Sequence, residues 1–135
     1  VGANTGMYSL GFLNVTDAKI FAFEPMKKSF DMLIENTKIH GDRIHAFNYA
    51  LGESDRETLI YFNSESDQLA SLSQDVQAIP YIKKNNLNSI KVKVRTLDDV
   101  FNELKNSREI NSIDIIKIDT EGFEYEVLQG ASSLL

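Results

Sequence analysis

Three groups of residues have the types and spacing to do chemistry. The first is Val1-Gly2-Ala3-Asn4-Thr5-Gly6, where two glycines bracket an amide side chain. Glycine lets a backbone turn sharply and lets a ligand approach it closely. N–H groups left free at the start of a following helix favour an anionic group. The second is Glu24, which ends Lys19-Ile20-Phe21-Ala22-Phe23 eighteen residues after Gly6. A carboxylate at that place accepts hydrogen bonds from both hydroxyls of a ribose. The third is Lys117-Ile118-Asp119-Thr120-Glu121-Gly122-Phe123-Glu124. One carboxylate there could pair with an ammonium group while another takes a proton from an acceptor hydroxyl.

Each group has competing readings. A dinucleotide fingerprint needs G-x-G-x-x-G, whose central glycine lets the backbone reach a pyrophosphate. Asn4 holds that place. S-adenosylmethionine (SAM) has no phosphate and presents a carboxylate, an ammonium and a sulfonium, so this turn suits it better. An NAD(P)-binding oxidoreductase and a non-catalytic binding module stay open as alternatives, and a tight strand–helix connection without ligand also explains the glycines. In the third group Thr120 or Asp119 could simply cap a helix carrying Glu121 and Glu124 in its first turn. Mg²⁺ prefers oxygen ligands, but two acids without a helpful histidine make a poor case, and no metal is expected. Lys117 shares strand parity with Asp119, and a cation in a buried strand needs a partner, so it is expected to pair with a nearby carboxylate. His40 and His45 fall away from these groups and read as ordinary surface or helix-end histidines.

The elements that must position these groups follow from hydrophobic periodicity. Val1-Gly2-Ala3 reads as a strand end leading into a helix from Gly6 to Leu13. Residues 19–23 are a strand, Phe30, Leu33 and Ile34 mark a helix to about Lys38, and 43–48 are a third strand. This βαβαβ rhythm predicts a parallel sheet with right-handed crossovers. Further strands are expected at Thr58–Phe62 and at Ile90–Val94, whose alternation suits one wet face. The polar stretch 63–89 reads as a long loop or lid with local helix around 76–84. Thr96 caps a helix with Asp98 and Asp99 in its first turn and Leu97, Val100, Phe101 and Leu104 as its buried stripe. Ile113–Asp119 reads as a strand covered on both faces. A helix from Phe123 to Gln129 follows, ended by Gly130. In such a sheet, Asp119 and Glu121 would face the Gly2–Gly6 turn at the carboxyl ends of the strands.

Composition narrows the classes. The 135 residues suit one domain over 1–135. A net charge of −6 argues against a mainly electrostatic grip on nucleic acid or on an anionic membrane. The absence of cysteine excludes disulfides, thiolate chemistry and cysteine-based zinc sites. No apolar run of membrane-spanning length and no signal peptide is visible, so a cytoplasmic setting is expected. The chain opens at Val1 without an initiator methionine and reads as a fragment of a larger protein.

Taken in order, these residues resemble the FkbM-type SAM-dependent methyltransferases along nearly the whole chain. The matching pieces are Val1-Gly2-Ala3-Asn4-Thr5-Gly6 with Tyr8-Ser9, Phe23-Glu24-Pro25 with Phe30, Leu33 and Asn36, and Asn48-Tyr49-Ala50-Leu51-Gly52. Ala70-Ser71-Leu72, Thr96-Leu97-Asp98-Asp99 and Ile116–Glu124 follow, with Val127-Leu128 and Gly130-Ala131. The resemblance implies an α/β, Rossmann-like methyltransferase fold with a mostly parallel twisted sheet flanked by helices, incomplete at both ends. It implies SAM as cofactor and O-methylation of a hydroxylated small molecule such as a sugar or natural product. By matching positions, Gly2, Asn4 and Gly6 would line the methionine end of SAM, Glu24 would hold the ribose, and Asn48 and Ala50 would border the adenine. Ser71 and Asp119 would lie near the reacting end with Glu121 beside them, and Asp119 and Glu121 are the catalytic candidates. The resemblance further implies an acidic residue just before the position of Val1, where this sequence begins, and further strands past the Gly130-Ala131 region.

Overall fold

The structure is a computed structural model that describes residues 1–63, 66–71 and 87–135, with backbone alone at 63, 66–71 and 87. They form two compact units, Val1–Ala50 and Leu51–Leu135. Among the described residues no helix is long and apolar enough to cross a membrane.

The first unit runs α1 (Met7–Val15), β1 (Ile20–Phe23), α2 (Lys27–Thr37), a 3-10 segment Lys38–Arg43 and β2 (Ile44–Phe47). β1 and β2 pair in parallel, Ile20 opposite Ile44 through Phe23 opposite Phe47. The expected parallel crossover is therefore present. Alternation along these strands puts Phe21, Phe23, His45 and Phe47 on one face, where they stack in a ladder; Phe23 and Phe47 centroids are 5.1 Å apart. α2 turns Leu33 and Thr37, one helical turn apart, to the interior, and both are fully buried. Thr37 satisfies its hydroxyl by donating to the Leu33 carbonyl at 2.7 Å. Full burial of a leucine such as Leu33 stabilises by about 1.5–3 kcal/mol.

The first expected strand is absent. Val1-Gly2-Ala3 adopts no strand conformation, because Gly2 lies at φ +69 and the Gly2 and Ala3 amides both donate to one acceptor, the Phe23 carbonyl, at 3.1 and 3.0 Å. A ladder needs amides and carbonyls to alternate between partners.

The second unit contains β4 (Arg56–Asn63), β5 (Ser66–Ser71), β6 (Leu87–Arg95), α3 (Leu97–Asn106) and α4 (Glu124–Gln129), and begins within β3 (Ala50–Leu51). The sheet order is β3-β6-β4-β5. β4 pairs antiparallel with both β5 and β6. Among the described residues the expected mostly parallel sheet is present only in part: β1 and β2 pair in parallel, whereas β4 is antiparallel to both of its neighbours. Alternation explains it: Ile60, Val92 and Val94 are buried while Glu57, Lys91 and Lys93 are exposed, the one-sided pattern of antiparallel strands. β5 also replaces part of the expected loop, and the helix expected at 76–84 lies outside the described residues.

Thr96 caps α3 as expected, its hydroxyl accepting from the Asp99 amide at 3.1 Å. Leu97, Val100 and Leu104 form the buried stripe. Asp98 points the other way and accepts from the Ser133 and Leu134 amides at 3.0 Å each, tying the end of the chain to α3. Arg95 grips Glu103 of α3 through two bonds of 2.7 and 2.5 Å. That guanidinium holds the Glu103 carboxyl below its usual range.

Ile113–Asp119 forms no strand. Apolar composition supplies a buried face but not a partner ladder, and Ile115 is 71% exposed. Gly130 ends α4 at an ordinary φ of −75, so its conformation does not demand glycine. Space does: a Cβ there would lie 2.0 Å from the Gly52 carbonyl oxygen. Gly130→Ala is predicted to destabilise by at least about 1–3 kcal/mol through overpacking. Urea unfolding of the complete protein checks this, and an unchanged midpoint would show that the Gly52 backbone yields freely.

Candidate functional site

The Gly2–Gly6 turn is built by three residues in the left-handed region, Gly2 at φ +69, Asn4 at +50 and Gly6 at +88. Asn is among the few side chains that tolerate this region. Gly6 answers a second demand, since a Cβ there would approach Leu33 Cδ1 to 2.7 Å. The turn closes on itself through the Gly6 amide and the Ala3 carbonyl at 2.9 Å. Asn36 of α2 holds its outer side, donating from Nδ2 to the Thr5 carbonyl at 2.8 Å.

Glu24 is the charged centre of this region, only 6% exposed. Its Oε2 accepts from the Asn4 amide at 2.8 Å and its Oε1 from the Met26 amide at 2.9 Å. Burial pushes the carboxyl above its ordinary value of 4.5, with the Met26 and Asn4 amides opposing. Asn48 completes the group: its Nδ2 donates to the Glu24 and Pro25 carbonyls at 2.9 and 3.1 Å. Gly2, Asn4, Gly6, Glu24 and Asn48 are therefore brought together within the first unit, and Ala50 is its last, buried residue. Asn4 contributes its main-chain amide to Glu24, rather than the side-chain amide that the sequence singles out.

Asp119, Glu121 and Ser71 belong to the second unit. Ser71 ends β5, opposite Tyr61. Asp119 is exposed and its Oδ2 takes the half-buried Lys117 amine at 2.8 Å, the pairing expected from parity. Glu121 is exposed at φ +53, followed by Gly122 at +96. Neither Thr120 nor Asp119 caps α4: its N-cap is Phe123, which makes no side-chain cap. The bonds run the other way. Glu124 Oε1 accepts from the Thr120 amide at 2.8 Å and hydroxyl at 3.1 Å, and Oε2 accepts from the Gly122 amide at 3.1 Å. Burial raises the Glu124 pKa, but bonds from the Thr120 amide, its own amide, the Gly122 amide and the Thr120 hydroxyl together outweigh it and hold the carboxyl below its ordinary value. Among the described residues no three acids or histidines gather as a metal site.

Asn36 and Glu124 are the contributors that periodicity missed. Each works on backbone groups of a loop, and only the i, i+4 spacing of Thr120 and Glu124 hinted at contact.

Glu24→Gln would turn an amide nitrogen toward the Asn4 or Met26 N–H, and is predicted to cost about 1–3 kcal/mol. The folded pKa of Glu24 is raised, so its stabilising contribution is complete below pH 4.5 and is lost as pH rises through the folded value. The stability gap between wild type and Glu24→Gln, read by urea unfolding, should therefore narrow as pH rises above 4.5. A widening gap would mean that the two amide bonds outweigh burial.

Comparison with known proteins supplies the family. The family model described as the methyltransferase FkbM domain matches residues 1–135. A hexuronic acid methyltransferase, AglP, from Haloferax volcanii is 29% identical over all of this chain and 49% of its own length. Methyltransferase 1 from Beauveria bassiana is 25% identical over 96% of this chain and 55% of its own. The chain thus spans about half the length of these curated relatives. A crystal structure of methyltransferase FkbM from Methylobacillus flagellatus shares the fold, with a TM-score of 0.63 and 20% identity over 98% of this chain and 28% of that one. With its mixed α/β units and a family match from end to end, this chain belongs to the FkbM methyltransferases.

Proposed function

We propose that this chain is the cofactor-binding part of a SAM-dependent O-methyltransferase acting on a hydroxyl of a sugar or natural-product-like small molecule. The observation that carries the reading is the buried Glu24 carboxylate, held by two backbone amides beside the glycine turn. An ionised carboxylate has about four acceptor positions; two are used, so Glu24 fits a ribose that offers two hydroxyls. SAM when bound supplies an electrophilic methyl group on its sulfonium. Gly2, Asn4 and Gly6 bring backbone close to the methionine end, while Asn48 and Ala50 border the adenine. The family resemblance assigns Ser71 and Asp119 to the reacting end, where Asp119 or Glu121 would receive the proton of the acceptor hydroxyl. Alignment of this kind lowers barriers by about 7–11 kcal/mol in well-oriented systems.

The relatives named above are methyltransferases and lend no support to an NAD(P)-dependent oxidoreductase or a non-catalytic module. The description of the Haloferax volcanii relative favours a hexuronic acid or similar sugar as acceptor. A chain of net charge −6 is in keeping with a small-molecule partner rather than nucleic acid or an anionic membrane. Isothermal titration of SAM into the complete protein and its Glu24→Ala variant tests the reading. Loss of charge-assisted bonds of about 1.5–3 kcal/mol predicts affinity weaker by roughly ten- to a hundredfold. Unchanged affinity would remove Glu24 from the ribose role.

A further inference from the structure

The loop that carries Asp119 and Glu121 is not held by a sheet. Residues 113–123 contain no regular element, and the loop passes through two consecutive left-handed residues, Glu121 at φ +53 and Gly122 at φ +96. Glu121 pays a conformational penalty there that surrounding contacts must offset. One side chain supplies contacts on both sides of it. The Glu124 carboxylate accepts from the Thr120 amide, the Thr120 hydroxyl and the Gly122 amide, at 2.8, 3.1 and 3.1 Å. These donors lie on either side of Glu121.

We propose that Glu124 is a positioning residue for SAM binding: by clasping the Thr120 and Gly122 amides it fixes the loop that carries Asp119 and Glu121. The inference rests on the reading that Asp119 contacts SAM. Glu124 itself touches no reacting group. Its acceptors are turned to the loop, and it is rooted at the first residue of α4, whose next turn is anchored by the fully buried Val127. The helix therefore supplies a fixed post, and the carboxylate transmits that fixity to a loop otherwise free of regular structure.

The test is a double-mutant cycle on SAM affinity in the complete protein, read by isothermal titration at neutral pH. Glu124→Ala is expected to weaken SAM binding about five- to tenfold, and Asp119→Asn by at least as much. Glu124→Gln keeps an oxygen able to accept from Thr120 but turns its amide nitrogen toward the Gly122 N–H, so it is expected to recover part of the loss, which a general defect in folding would not. The double variant Asp119→Asn/Glu124→Ala should bind no more weakly than Asp119→Asn alone, because Glu124 acts through the loop. If Glu124→Ala does not fold, Glu124→Asp, which keeps the charge and shortens the reach, replaces it in the cycle. Losses that multiply in the double variant would overturn the proposal, as would wild-type affinity in Glu124→Ala when Asp119→Asn is weakened. Unchanged affinity in Asp119→Asn would instead reject the underlying site reading, and the positioning role with it.

Discussion

A carboxylate that is almost wholly removed from water constrains this protein more than any other group. Burying an ionised Glu24 is tolerable only if its oxygens find donors, and the donors come from the Asn4 and Met26 main chains. That requirement fixes the glycine turn against the end of β1 and starts α2 where Met26 stands as its N-cap. Gly6 then has to be glycine twice over, for its left-handed φ and for the space that Leu33 occupies. One charge thereby orders a turn, a strand end and a helix start.

The second unit obeys a different constraint, the close approach of two backbones. Gly130 reaches the Gly52 carbonyl, Asp98 gathers the amides of Ser133 and Leu134, and its own amide donates to the Gly130 carbonyl at 2.9 Å. These contacts anchor the helix from which Glu124 projects. Side chains that hold backbone groups recur throughout the chain, in Glu24, Asn36, Asn48, Asp98 and Glu124. Such bonds set loop geometry, and loops carry the candidate chemistry.

Much of this was legible in the sequence where a single local rule applied. The period of Leu33 and its neighbours, the cap at Thr96 and the alternation of 90–94 each specify an element without distant help. Ile113–Asp119 was misread because an apolar run states a preference for burial, whereas a strand also needs a partner whose identity no local pattern encodes. Val1–Ala3 failed for a related reason: Gly2 turns its backbone and gives its amide to the Phe23 carbonyl. Within the candidate site, Glu24 was identified by its place after a strand, but the donors it recruits were not, because main-chain amides leave no residue-type signature. Asn4 shows the same limit, valued for an amide side chain while its main-chain N–H does the holding.

The account stands on Glu24 meeting a ribose. A crystal structure of the complete protein with S-adenosylhomocysteine tests this directly. The ribose hydroxyls should lie within hydrogen-bonding distance of the Glu24 carboxylate, with the glycine turn alongside the amino-acid end of the ligand. Ligand density elsewhere, with Glu24 still answered only by Asn4 and Met26, would contradict it.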